Sequence, residues 1–199
     1  FHPIRKRVAL KMFQQRDLAR VALFFATSLQ EAQSIRRFGL NQPIAVIPNG
    51  VDPPTTTSSV EQYKTERQMV LMSRLHPIKG VPMFLSAWSK VNPGGWKLVI
   101  AGPDEDGYRK KIEKEIDRLS LRGSVECIGD VSGSAKSRLL AGADLFVLPS
   151  FSENFGVVVA EALSYGLPVL TTTGTPWEIL RDRDCGWWVV PEVEPLSAA

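Results

Sequence analysis

The 199-residue chain reads as an α/β protein built on a doubly wound parallel sheet. Three observations carry that reading. Short apolar runs recur along the chain, stretches with helical periodicity separate them, and the runs are apolar throughout, as strands covered on both faces must be. Hydrophobic residues make up 44% of the chain, enough to build a substantial core and to exclude a disordered polymer.

Taken in order, the strands fall in "LFFAT" from Leu23, "IAVI" from Ile44, "VLMS" from Val70, "KLVIA" from Lys97, "SVECI" from Ser124, "DLFVL" from Asp144, "PVLTT" from Pro168 and "WWVV" from Trp187. After the first of them, Ser28 and Glu31 form a capping box that opens the helix "LQEAQSIRRFG", and Gly39 supplies its left-handed C-cap. A further helix lies in "DGYRKKIEKEIDRLSLRG", where Tyr108, Ile112, Ile116 and Leu119 form one apolar stripe and Gly123 follows the end. Its charges read as a solvated face. In the last strand, Trp187 and Trp188 are expected to place one indole on each face.

Between Pro53 and Gln68, "PPTTTSSVEQYKTERQ" loses apolar periodicity and gains Pro, Thr and Ser, which marks a domain junction. Residues 1–52 then read as the tail of a preceding domain, 53–68 as a linker, and 69–199 as a second domain that is incomplete at its C-terminus. The chain opens on Phe1 and closes on "VEPLSAA", so a fragment of a longer protein is expected.

The net charge of +3 hides an asymmetry, since residues 1–40 hold eight Lys/Arg against two Asp/Glu, leaving 16 against 19 elsewhere. The basic stretch "HPIRKRVALKMFQQRDLARV" is either a solvated helix face or a peripheral contact with an anionic membrane surface. It lacks interleaved aromatics and the remainder is net acidic, which argues against a nucleic-acid partner. Cys127 and Cys185 have no metal-ligand spacing, and no run is long enough to cross a bilayer, so a reduced cytoplasmic setting is expected.

Ligands of open parallel sheets bind beyond the carboxyl ends of the strands, so the loops there deserve the closest reading. "SRLHPIKG" follows "VLMS" and flanks a turn with Arg74 and Lys79, two cations where an anion would sit, while His76 between them reads as a loop residue. "AGPDEDGY" offers glycines for close backbone approach, and its Asp104, Glu105 and Asp106 read as acids at a helix N-terminus rather than as metal ligands. In "PSFSENFGVVVAEALSYG", Ser150, Ser152 and Asn154 are turn and cap formers. Glu153 lies on this loop and Glu161 lies in the helix beyond its first turn.

The Arg74 to Gly80 loop joined to Pro149 to Pro168, with two glutamates eight residues apart, resembles the donor-binding half of GT-B retaining glycosyltransferases of group 1, glycosyltransferase family four. "IPNGVD" from Ile47 looks like that family's junction between half-domains. The resemblance covers essentially the whole chain, and its donor half has a Rossmann-like fold. It implies that Arg74 and Lys79 hold the donor diphosphate, that Glu153 bonds the hydroxyls of the transferred sugar, and that Glu161 grips the ribose. The backbone of Asn154, Phe155, Gly156 and Val157 would approach sugar and phosphate, and Gly102, Ile128 and Gly129 would line the base pocket.

The resemblance further implies a metal-independent hexosyl transfer from a nucleotide sugar to a glycan or lipid-linked acceptor, as in cell-envelope or polysaccharide synthesis. Two other readings stay open: a non-catalytic nucleotide-sugar binding module, and a glycoside hydrolase using Glu153 and Glu161. Alanine at Arg74 or Lys79 is expected to weaken nucleoside-diphosphate binding with little loss of fold.

Overall fold

The computed structural model describes residues 17, 18, 20–54 and 66–199. They divide into two compact units between Asn49 and Gly50, inside the "IPNGVD" stretch. Nearly all of the basic N-terminal stretch lies outside the described residues, as does 55–65 of the expected linker.

In the first unit, β1 (Phe24–Ala26) and β2 (Ile44–Val46) pair in parallel and α1 (Leu29–Arg37) connects them. Ser28 Oγ accepts the Glu31 N–H at 3.1 Å, which is the expected cap. The other half of the capping box is redirected: Glu31 Oε2 takes both the N–H and the hydroxyl of Thr27, each at 2.7 Å. Gly39 has φ +79° and closes the helix as its lack of a Cβ allows. Ser28→Ala is expected to cost about 1 kcal/mol of local stability. Hydrogen exchange at the Glu31 amide should speed up roughly fivefold, and an unchanged rate would show that the cap contributes nothing.

The second unit carries six strands in parallel: β3 (Arg67–Met72), β4 (Trp96–Ala101), β5 (Val125–Gly129), β6 (Leu145–Leu148), β7 (Val169–Thr172) and β8 (Gly186–Val189). Their order across the sheet is β5-β4-β3-β6-β7-β8. The chain builds outward from β3 in one direction and then returns to build outward from β6 in the other, so the winding reverses between β3 and β6. Each expected apolar run forms its strand, and Arg67 and Gln68 extend the third one backward along Trp96 and Lys97 of β4.

The helices are α2 (Val81–Val91), α3 (Arg109–Arg118), α4 (Gly133–Ala141), α5 (Val157–Ser164), α6 (Ile179–Asp182) and α7 (Val193–Ala198). Alternation along the strands sorts the core into two layers. Leu71, Leu98, Ile100, Val147 and Leu170 face Phe84, Leu85 and Trp88 of α2, Ile112 and Ile116 of α3, and Leu196 of α7. Val70, Met72, Phe146, Leu148 and Val169 face Leu140 of α4, Val159 and Ala162 of α5, and Leu180 of α6. A sheet covered on both faces explains why its strands read as unbroken apolar runs.

The stripe expected on α3 is the one that packs, with Ile112 and Ile116 buried and Tyr108 and Leu119 partly so. In β8, Trp187 is exposed while the Trp188 indole turns in to donate to the Thr175 carbonyl at 2.9 Å. Both cysteines are free thiols, and burial pushes the Cys127 thiol up from its ordinary range. No helix among the described residues is long and apolar enough to cross a membrane.

Candidate functional site

A sheet whose winding reverses leaves a crevice at the reversal, because the connections after the two flanking strands depart to opposite faces. Here those connections are residues 73–80 after β3 and 149–156 after β6, the first and third loops singled out in the sequence. Each leads into an α-helix through a glycine in the left-handed region: Gly80 at φ +68° before α2 and Gly156 at φ +76° before α5. Neither glycine has a side chain to cap its helix, so two positively polarised N-termini stand beside the reversal point. Ser150, Ser152 and Asn154 are therefore not the cap of α5, contrary to the expectation from their type; Gly156 is.

The two loops are locked together. Phe151 N–H donates to the Ile78 carbonyl at 2.8 Å, and a Cβ on Gly80 would sit 2.1 Å from the Pro149 oxygen. Lys79 ends a 3-10 turn over Pro77–Lys79 whose first free amide, that of Ile78, donates to His76 Nδ1 at 3.1 Å. His76 lies in the loop, as expected, and in addition caps the turn.

From this turn the Lys79 ammonium reaches across to Glu153, forming an ion pair in which the two side chains are only 12% and 14% exposed. Ser150, itself fully buried, donates its hydroxyl to Glu153 Oε1 at 2.8 Å, and the Glu153 amide donates to the Gly174 carbonyl at 2.8 Å. The carboxylate is thus held by two partners and its backbone by a third. Behind it, Trp177 donates its indole N–H to the Phe155 carbonyl and packs against the Phe155 ring at a tilt of 56°, centroids 5.1 Å apart, which fixes the backbone entering Gly156.

This pair corrects the expectation that Lys79→Ala costs little fold stability, because truncation would strand a largely buried carboxylate. Arg74 is placed differently: its guanidinium pairs with Glu105 at 2.7 Å, and the two side chains are 61% and 36% exposed. An exposed pair of that kind is worth about 0–1 kcal/mol. Of the acidic trio, Asp104 accepts the Arg109 N–H at 2.8 Å and so caps α3, matching the helix-acid reading. Among the described residues, no group of three or more His, Cys, Asp or Glu is placed to hold a metal.

Glu161 sits in α5 and meets Lys136 of α4, Nζ to Oε1 at 2.5 Å. Its second oxygen, Oε2, is buried with no partner among the described residues. Asn154 and Val157 are exposed at the start of the helix.

On the other flank, Gly102 N–H donates to the Gly129 carbonyl at 2.7 Å, across a register shift between β4 and β5, and Ile128 is 39% exposed beside them. The space at Gly102 is not open to a ligand, because its missing Cβ would lie 1.8 Å from the Ser73 carbonyl oxygen. What approaches that glycine is the chain's own backbone.

Sequence reasoning missed Glu105, Lys136, Ser150 and Trp177 as partners of the site. Three of them meet residues 22 to 31 positions away, which leaves no local signature.

Fold and site together define the class, a Rossmann-like α/β unit of the GT-B glycosyltransferase kind. The family described as "Glycosyl transferases group 1" matches residues 54–199, and the chain belongs to that family. An uncharacterized glycosyltransferase of Methanocaldococcus jannaschii is 33% identical over 136 residues, covering 67% of this chain and 34% of that protein. A probable sucrose-phosphate synthase of Thermosipho melanesiensis is 26% identical over 217 aligned residues, covering 98% of this chain and 50% of that one. The chain therefore spans half or less of the length of these curated relatives.

Among solved structures, Anabaena HepE in complex with UDP and glucose superimposes with a TM-score of 0.80 at 24% identity, covering 100% of this chain and 56% of that one. Sucrose-phosphate synthase from Thermosynechococcus elongatus gives 0.82 at 21% identity, covering 94% and 50%. At such identities the likeness speaks to the fold.

Proposed function

We propose that the protein contributes the donor half of a retaining glycosyltransferase that moves a hexose-type sugar from a nucleoside diphosphate to a glycan or lipid-linked acceptor. One observation carries the reading: Lys79 and Glu153 converge at the reversal point of the sheet, between two helix N-termini without side-chain caps. A diphosphate fits that field, and so does a sugar hydroxyl beside a carboxylate. Among the chain's neighbours, one is described with UDP and glucose and a relative as a sucrose-phosphate synthase, which supports a nucleotide-sugar donor.

In the reaction the anomeric carbon–oxygen bond breaks, negative charge grows on the departing diphosphate, and an acceptor hydroxyl forms the new bond on the same face, its proton passing to the departing phosphate oxygen. Charges placed in advance stabilise that transition state more than the ground state. Arg74, Lys79 and the amides of α2 and α5 supply them, so the reading includes no divalent metal. Glu153 accepts hydroxyls of the transferred sugar and Glu161 those of the ribose, each contributing roughly 1.5–3 kcal/mol net. Ile128 and Gly129 are assigned to the base pocket, and Gly102, packed against Ser73, supports them through its N–H to the Gly129 carbonyl. The enzyme is placed in the cytoplasm, with any peripheral membrane contact made through the basic stretch.

Glu153 and Glu161 each meet a separate lysine from a separate loop or helix, and the cationic turn has no task in hydrolysis, so the hydrolase reading is set aside. Melting curves with UDP, GDP and ADP in the presence of a chelator test the proposal. Saturation at about a hundred times the dissociation constant should add roughly 2.7 kcal/mol for the cognate nucleotide. Arg74→Ala should lower that gain while leaving the melting point of the free protein in place. Stabilisation by none of the three nucleotides, or only when a divalent metal is supplied, would overturn the reading. Binding without sugar transfer would favour a module that binds but does not react.

A further inference from the structure

We propose that Lys136 is a positioning residue for the nucleotide: it orients the Glu161 carboxylate and sets the preference for ribose over deoxyribose. The inference rests on the donor reading above and adds a residue to it.

Lys136 lies in the first turn of α4 and Glu161 lies in α5, so their 2.5 Å contact ties together two helices that cover the same face of the sheet. The side chains are 30% and 23% exposed, which removes much of the screening that makes surface pairs negligible. Lys136 takes Oε1 and leaves Oε2 buried and unpartnered. An ionised carboxylate accepts up to about four hydrogen bonds, so this one holds capacity that the described residues do not use.

The terminal torsion of a glutamate is broad, so a partial rotation about it turns Oε2 toward a ligand while Lys136 keeps Oε1. A pair of adjacent hydroxyls is the donor that such an under-used acceptor selects, because it can engage both oxygens. A lone hydroxyl cannot.

Charge leads to the same assignment. A carboxylate that binds the ribose stands near a diphosphate, and the two repel. The ammonium of Lys136 offsets that repulsion while leaving the acceptor ionised, which a neutral partner could not do. Without it, Glu161 would be both less fixed in direction and uncompensated in charge.

The test compares ribonucleoside diphosphates with their 2′-deoxy counterparts by calorimetry, using whichever of UDP, GDP and ADP binds most tightly. The unaltered protein should prefer the ribose form by about tenfold or more, as expected of a hydroxyl donating to a charged acceptor. Glu161→Ala should reduce the preference to about onefold to twofold, and Lys136→Met to no more than about threefold, with Lys136→Arg restoring most of it. Lys136→Gln serves as the second charge-removing variant if methionine impairs folding.

If Glu161→Ala keeps the full preference, the ribose role itself fails and this inference falls with it. If Glu161→Ala abolishes the preference while Lys136→Met and Lys136→Gln retain it, Lys136 is only a structural tie and the inference alone is overturned. A loss in both variants that arginine does not rescue would likewise reduce the lysine to packing.

Discussion

On the proposed reading, Lys79→Met should slow sugar transfer by about 10²–10³-fold, the usual cost of removing one donor aimed at charge that develops in the transition state. The ammonium is poised at the crevice by a 3-10 turn whose amide is capped by His76 and whose Ile78 carbonyl is bonded to the opposite loop. Methionine keeps the stem and removes the charge. A second effect accompanies the first, because Glu153 is left buried against Ser150 without its counter-ion.

Breaking a fully buried pair costs about 3–5 kcal/mol. With both partners slightly exposed, a loss of about 1–3 kcal/mol is expected here. Glu153→Gln added to Lys79→Met should recover part of that stability while restoring none of the turnover, since removing both charges ends the desolvation problem and not the catalytic one. Steady-state kinetics with the cognate nucleotide sugar and denaturant melts of both variants provide the check. Turnover within threefold of the parent would remove Lys79 from the leaving-group role, and a double variant no more stable than Lys79→Met would deny that Glu153 is the group left stranded.

The divided legibility of this chain has a physical cause. Strands such as "KLVIA" and "DLFVL" could be read because a sheet covered on both faces demands consecutive apolar residues, and that demand is local. The α3 stripe from Tyr108 to Leu119 could be read for the same reason. The loops after β3 and β6 could be singled out because cations, turn formers and glycines follow two apolar runs directly, and only the fold shows that both lie at the reversal point.

Their pairing was not legible. Lys79 and Glu153 are 74 positions apart and Lys136 and Glu161 are 25 apart, so each contact follows from the tertiary arrangement. The capping box shows the limit at short range, since Ser28 behaves as its type predicts while Glu31 finds a closer donor in Thr27. Gly102 shows it most clearly: the residue type signals a close approach and does not say what approaches.

That ambiguity yields the last prediction: Gly102→Ala should lower stability by about 3–5 kcal/mol before any ligand is added. At φ +140° an L side chain is strained, and the new Cβ would stand 1.8 Å from Ser73 O and 2.7 Å from the carbonyl carbon, so backbone must move. The movement has little freedom. Ser73 N–H is bonded to the Ala101 carbonyl at 3.0 Å and Leu75 N–H to the Pro103 carbonyl at 2.8 Å, so the chain beyond β3 and the chain beyond β4 continue the sheet pairing past its formal end. Gly102 lies within that extension, and the residue pushed by its substitution immediately precedes Arg74.

A fall in melting temperature of about 6–20 °C is therefore expected for the free protein, at roughly 2–4 °C per kcal/mol for a chain of this size. Nucleoside-diphosphate affinity should fall as well, through displacement of the Arg74 loop. If Gly102→Ala melts with the parent and loses only nucleotide affinity, the glycine serves the base pocket alone. Unchanged melting and unchanged affinity would mean that the contact with Ser73 relaxes at no cost.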